Sequence, residues 1–216
     1  MWAKLYPINI ITSPNSWFER HANEIVKDLS ALGFMISLKF SHCDVDKGCI
    51  ACYLSYQKIV PVEYINKAYQ SLVVHASDLP RGKGFSPWVW QILEGKNNIP
   101  LCLFEMDEGL DTGNIFQKRE MLLQGNELLP EIRSKLAKAI KKILTDHLIE
   151  SSEPVSYPQN GEETIYKKRT AKDSKLNPTK SLKEQFNLLR IVDNDVYPAF
   201  FEYLGKQYTL KVEEKT

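Results

Sequence analysis

The order in which two kinds of periodicity alternate along this chain limits its fold more than any other feature. Short apolar runs, five to eight residues long, are separated by stretches with helical spacing. Ile8 to Thr12 reads as a strand. Phe18, Ala22, Ile25, Val26, Leu29 and Leu32 then repeat on one helix face, with Ser13-Pro14 as the expected cap and first helical position and Gly33 as the stop. Met35 to Phe40, Cys49 to Leu54, Ser71 to Ala76, Leu101 to Met106 and Ile115 to Leu122 read as further strands. Between them, helices are expected over Val62 to Tyr69, from Ser86-Pro87 through Leu93, and from Glu127 to about Ile149. This alternation predicts an α/β fold: a mostly parallel sheet with helices on both faces.

Composition narrows the function classes. Of the 216 residues, 25% are charged and the net charge is +1, which does not favour a phosphate backbone as main partner. The N-terminal apolar run is too short for a signal peptide, and no run is long enough to span a bilayer, so the expected compartment is the cytoplasm. The four cysteines include a C-x-x-C at Cys49 and Cys52, beside His42 and Cys43. Strand residues three apart point to opposite faces, so these thiols cannot easily share a metal, and none is expected.

The composition changes after Glu150. Residues 1–150 read as a catalytic core, and 151–216 as an extension packed on it. S-S-E-P-V-S-Y-P-Q-N-G reads as a linker. Ser181 and Glu184 form a capping box before Leu182, Phe186, Leu189 and Val192, and Ala199 to Val212 reads as a hairpin turning at Leu204-Gly205-Lys206. Phe200, Phe201 and Tyr203 of this hairpin could form a homodimer surface or cover the core.

Two loops carry the chemistry. V-V-H-A-S-D-L-P-R-G-K-G places His75 at a strand end, and M-D-E-G-L-D-T-G places Asp111 in a glycine-punctuated loop after another strand. A strand-end histidine is often structural, and an aspartate before glycine is often a turn residue. In a sheet of this kind both can instead lie in the crevice beyond the strand ends, where an imidazole moves protons and a carboxylate orients it.

These segments resemble the folate-dependent formyltransferases, whose pattern is N-x-H-P-S-L-L-P, a following R-G and a later L-D-x-G. The resemblance covers roughly residues 50 to 120, including S-P-W-V-W-Q-I-L-E-G and Y-L-S-Y-Q-K-I-V-P. It implies a Rossmann-like core that transfers a formyl group from 10-formyltetrahydrofolate to an amine, with His75 and Asp111 as catalytic residues. It further implies a folate wall formed by Met106, Asp107, Glu108, Leu110 and Asp111, with Tyr56 and Ile59 opposite. The chain departs from the pattern at Val73, where the family has an asparagine that donates to the developing oxyanion. Leu72 and Val74 cannot replace it by a one-residue slip. Ser71 and Ser77 fall on the same face by period, and Ser77, a water or a backbone amide is the expected substitute donor.

The tail from Tyr166 onward resembles the sugar N-formyltransferases, most nearly those of the pseudaminic acid pathway, which act on a UDP-linked 4-amino-4,6-dideoxy sugar. The methionyl-tRNA enzymes usually carry a further β-barrel domain and more positive charge. On this reading Arg81, Gly82, Lys83, Lys168, Arg169, Arg190, Asn194 and Tyr197 are the candidate substrate contacts, with helix-end packing explaining Arg190, Asn194 and Tyr197 equally well, and the basic run from Lys167 to Lys175 suits a diphosphate, although a solvated loop would look the same. Three other readings remain: a different amine acceptor such as an aminoacyl group on tRNA or a carrier, a binding protein that has lost catalysis at Val73, and a formyl-folate hydrolase.

Overall fold

The computed structural model describes residues 1–215. Its centre is a six-stranded sheet. The elements in chain order are β1 (Ile8–Ile11), α1 (Glu19–Ala31), β2 (Ile36–Lys39), β3 (Ile50–Tyr53), α2 (Val62–Ile65), β4 (Gln70–His75), β5 (Lys83–Gly84), α3 (Pro87–Leu93), β6 (Asn98–Glu105), β7 (Ile115–Leu122) and α4 (Leu129–Leu148). The extension adds β8 (Ile165–Tyr166), α5 (Phe186–Leu189), β9 (Ala199–Tyr203) and β10 (Lys206–Leu210). The sheet order is β2-β1-β3-β4-β6-β7. The first four strands are parallel, whereas β6 runs antiparallel to both β4 and β7.

The two sheet faces are clad unequally. Ile8, Ile10, Ile50, Cys52, Leu72, Val74, Leu101 and Leu103 face one large core, and the buried stripes of α1, α3 and α4 all pack there. On the other face Ile11, Ala51, Tyr53, Val73, Cys102 and Phe104 meet only two small clusters, closed by residues flanking β3 and α2 such as Val45, Tyr56 and Val60. All the long helices therefore lie on one face, and on the other the short α2 approaches the sheet, its Ile65 carbonyl accepting from the Ser71 hydroxyl. Cys49 belongs to the thin-side cluster and Cys52 to the main core, which is the opposed placement that strand alternation requires. Burial pushes the Cys49 thiol up to about 11.

Local expectations were corrected in three places. Ser13-Pro14 does not open α1. Asn15 takes a left-handed φ of 56° that breaks the turn, and the helix begins at Glu19, whose carboxylate accepts from the Asn15 amide. The expected helix over Val62 to Tyr69 stops at Ile65, after four residues. The capping box of Ser181 and Glu184 forms reciprocally, but the α-helix after it is only Phe186–Leu189. The hairpin forms where expected: Leu204 and Gly205 both have positive φ, as a two-residue turn between twisted strands requires. Phe200 and Phe201 are half-buried, whereas Tyr203 and Leu204 are exposed. Ile191 joins the main core and Leu188 packs against it, which fixes the extension to the sheet unit. No helix among the described residues is long and apolar enough to cross a membrane.

His147, in the last turn of α4, is fully buried between the rings of Trp2 and Phe116, at centroid distances of 5.6 and 4.8 Å. Burial holds its imidazole down to about 4, against 6.5 for an ordinary histidine. The unfolded chain takes up a proton below pH 6.5 that the native state refuses, so this contribution is complete above pH 6.5 and is lost as the pH falls toward 4. At pH 5 the loss is about 2 kcal/mol. A His147→Leu variant is expected to unfold thermally with a much flatter dependence on pH between 7 and 5. An unchanged acid slope would show that other groups set it.

Candidate active site

His75 is the last residue of β4 and is 8% exposed. Its ring sits edge-on to Phe104 of the neighbouring strand. Nε2 lies 2.9 Å from the Gly82 carbonyl oxygen. A carbonyl only accepts, so Nε2 carries the hydrogen and a neutral ring leaves Nδ1 as the acceptor. The Asp111 carboxylate lies 3.7 Å from the same Nε2, beyond hydrogen-bond length. Asp111 Oδ2 is itself fixed by the Gly84 amide at 2.8 Å. Gly82 and Gly84 therefore position the two functional side chains through their backbone atoms. Both have positive φ, and a Cβ on Gly84 would stand 2.4 Å from the Tyr166 carbonyl oxygen.

The route by which Asp111 reaches this site differs from the expected crevice. Because β6 is antiparallel to β4, its carboxyl end lies opposite Leu72 rather than beside His75. The Met106 amide is pinned to the Ser71 carbonyl there, and residues 106–114 double back across the thin face. Asp107 ties this loop by accepting from the Gly109 amide and the Thr112 hydroxyl. Glu105, at its base, is pushed up by burial and then by the neighbouring Glu153 and Asp107 carboxylates. Gly113 approaches the Glu105 carbonyl so closely that a Cβ would lie 1.6 Å from it.

A residue the sequence reading missed holds the loop from outside. Gln159 Nε2 donates to the carbonyls of Asp111 (2.8 Å) and Gly113 (2.9 Å). It sits in the segment read as a linker, which in fact bridges Tyr157 to Ile115 by two backbone hydrogen bonds. The same strand of extension continues over the histidine loop. The Gly82 amide donates to the Thr164 hydroxyl, β5 pairs with β8, and Trp90 Nε1 donates to the Lys167 carbonyl. Nothing in Y-P-Q-N-G signals this role, because the partners are backbone carbonyls that leave no sequence pattern. Asp111 has a left-handed φ of 52°, so its placement depends on such support. Gln159→Ala is expected to lower turnover about ten-fold while substrate affinity changes little, measured by steady-state kinetics. Unchanged turnover would show that Asp107, the Gly84 amide and the Met106–Ser71 hydrogen bond hold the loop without Gln159.

The residues expected to line the site separate into two groups. Tyr56, Met106 and Val73 come together around Tyr53 on the thin face. The Tyr56 hydroxyl meets His42 Nδ1 at 2.9 Å. Ile59 is 87% exposed and Leu110 51%, while Glu108 is also exposed. Ser71 is not free to act as a donor, since its hydroxyl is given to the Ile65 carbonyl. Ser77 is buried with an unpartnered hydroxyl, beside Gly82.

Several expected substrate contacts are structural instead. Arg190 is fully buried, donating to Asn97 Oδ1 at 2.6 Å and facing Glu127 at 3.5 Å. The Asn194 amide is used up on both backbone groups of Val212. Arg169 donates to the Ser174 hydroxyl and reaches the Ile191 carbonyl. Two of the five basic residues in the run are paired to carboxylates, Lys167 to Asp173 and Lys175 to Glu202. Lys83 is buried against Glu163, and Arg81 faces Glu162 at the surface. Lys168 and Tyr197 are exposed and remain available.

The sequence family described as formyl transferase matches residues 39–148, which include His75, Gly82, Gly84 and Asp111. The chain belongs to that family. A curated relative, methionyl-tRNA formyltransferase of Sulfurihydrogenibium sp. (strain YO3AOP1), is 34% identical over 145 residues, covering 65% of this chain and 47% of the relative. The chain thus spans about half the length of the curated relatives it matches. Among solved structures, methionyl-tRNA formyltransferase from Clostridium thermocellum superposes with a TM-score of 0.81 at 23% identity, covering 97% of this chain and 94% of that one. The Mycobacterium tuberculosis protein Rv3404c, described as a likely sugar N-formyltransferase, superposes at 0.74 and 18% identity, covering 98% and 99%. These two show the shared Rossmann-like fold.

Proposed function

We propose that this protein transfers the formyl group of 10-formyltetrahydrofolate to the amine of a nucleotide-linked amino sugar, a 4-amino-4,6-dideoxy sugar being the expected acceptor. The observation that carries the transfer is the His75–Asp111 pair, assembled at 3.7 Å on a face that the long helices leave uncovered. The amine must attack neutral, and during the reaction it loses one proton while the folate N10 gains one. His75 Nδ1 takes the proton, and Asp111 and the Gly82 carbonyl stabilise the resulting charge through Nε2. The folate fits a wall formed by Met106 and Tyr56, and the buried unpartnered hydroxyls of Tyr53 and Ser77 are donors suited to its formyl oxygen.

The sugar acceptor is supported by the tail's resemblance to sugar N-formyltransferases and by a likely enzyme of that class which this chain matches over nearly the full length of both. Lys168 and Tyr197 are the exposed candidates left to meet the nucleotide. A second reading, formylation of an aminoacyl-tRNA, is favoured by the names of the curated relatives and by the TM-score of 0.81. Incubation with 10-formyltetrahydrofolate and a panel of nucleotide amino sugars, with methionyl-tRNA in parallel, decides between them. Formamide detected by mass only on a sugar supports the proposal. Product only on the tRNA overturns it, and folate turnover without any amine would reveal a hydrolase.

A further inference from the structure

Tyr53 ends β3, and its register partner on β4 is Val73. Paired residues on neighbouring strands point to the same face, and Val73 shares its face with His75 two residues on. The phenol therefore leaves the sheet on the catalytic side, one strand over from the histidine. It is 2% exposed and packs with Val73, Met106 and Tyr56, yet its hydroxyl has no hydrogen-bond partner among the described residues. A buried tyrosine hydroxyl normally finds an acceptor, and leaving one unmade costs about 1–3 kcal/mol.

Resting on the reading of this site as a formyl-folate site, we propose that the Tyr53 hydroxyl donates the hydrogen bond to the formyl oxygen, on the face where Val73 leaves no donor. Burial first, and then neighbouring Cys49 and Tyr56, push the phenol well above its ordinary range, so it stays a neutral donor throughout the working pH range. Ser77 is the competing hydroxyl. It lies beyond the end of β4, where alternation no longer directs it to this face, and it stands against Gly82. The serine also belongs to the family pattern alongside the asparagine, so it does not explain how the chain tolerates valine.

Tyr53→Phe keeps the ring and removes only the hydroxyl. It is expected to lower kcat about 100-fold with little change in KM for the amine, and a Val73→Asn change added to it is expected to recover at least about ten-fold of that loss. A readout independent of the acceptor is the affinity for 10-formyl-5,8-dideazafolate against the same compound without its formyl group. Tyr53→Phe is expected to weaken the formylated ligand about five-fold and leave the other unchanged. The proposal is overturned if Tyr53→Phe stays within about three-fold of the parent in kcat while Ser77→Ala does not, or if both ligands bind the variant as they bind the parent. If no amine is formylated but the formyl-specific affinity loss appears, the proposed function fails and the role of Tyr53 stands.

Discussion

Replacing His75 with glutamine is expected to lower formyl transfer by about 10²–10⁴-fold, the usual contribution of a positioned acid–base group. A glutamine amide can still donate to the Gly82 carbonyl, so the loop keeps its hydrogen bond. It cannot accept a proton from the attacking amine. Asp111→Asn isolates the complementary part, since its amide oxygen can still receive the Gly84 amide while the charge beside the ring is gone. The measurement is single-turnover transfer with saturating formyl-folate, which separates chemistry from product release. Activity of the His75→Gln variant within ten-fold of the parent would mean that water or the folate itself carries the proton.

The second large effect concerns folding. Glu127→Ala is expected to destabilise the protein by about 3–5 kcal/mol, because it strips the counter-charge from the buried Arg190. The Glu127 carboxylate is 4% exposed. Burial raises its pKa, but Lys135 and the amides of Gln124, Glu127 and Gly125 outweigh that and hold it at about 2. Without it the guanidinium keeps only the Asn97 oxygen. In a chain of this size the thermal midpoint should fall by roughly 10 °C. Changing Arg190 to leucine together with Glu127→Ala is expected to restore part of the loss, because no unpaired charge remains. A double variant as unstable as Glu127→Ala alone would show that the backbone amides, rather than the arginine, depend on Glu127.

The strands and the long helices were legible in the sequence because their burial is periodic: β7 spans Ile115–Leu122 as read, and α4 buries Ile132, Leu136, Ile140, Ile143 and Leu144 as its spacing requires. His75 and Asp111 were legible as a pair through their motif spacing, and the structure brings them together. What could not be read was direction and backbone contact. An antiparallel β6 has the same apolar run as a parallel one, so the doubling-back of the Asp111 loop left no trace. Arg190 read equally as a sugar-nucleotide contact or as helix-end packing, because a buried, paired arginine and an exposed one are the same letter. Tyr53 was hidden by its neighbours, since within C-I-A-C-Y-L it reads as one more core residue of a strand.

The strap formed by residues 157–167 has a consequence for how the chain matures. The sheet's strands and α4 are complete by Leu148, so that unit can fold as it leaves the ribosome. The Gly82 amide, the Lys83 ammonium and the Asp111 carbonyl receive their partners Thr164, Glu163 and Gln159 only after those later residues have been synthesised. The loops that hold His75 and Asp111 therefore set only after the sheet unit beneath them. A growing chain holds a folded scaffold before it holds the proposed site in finished form.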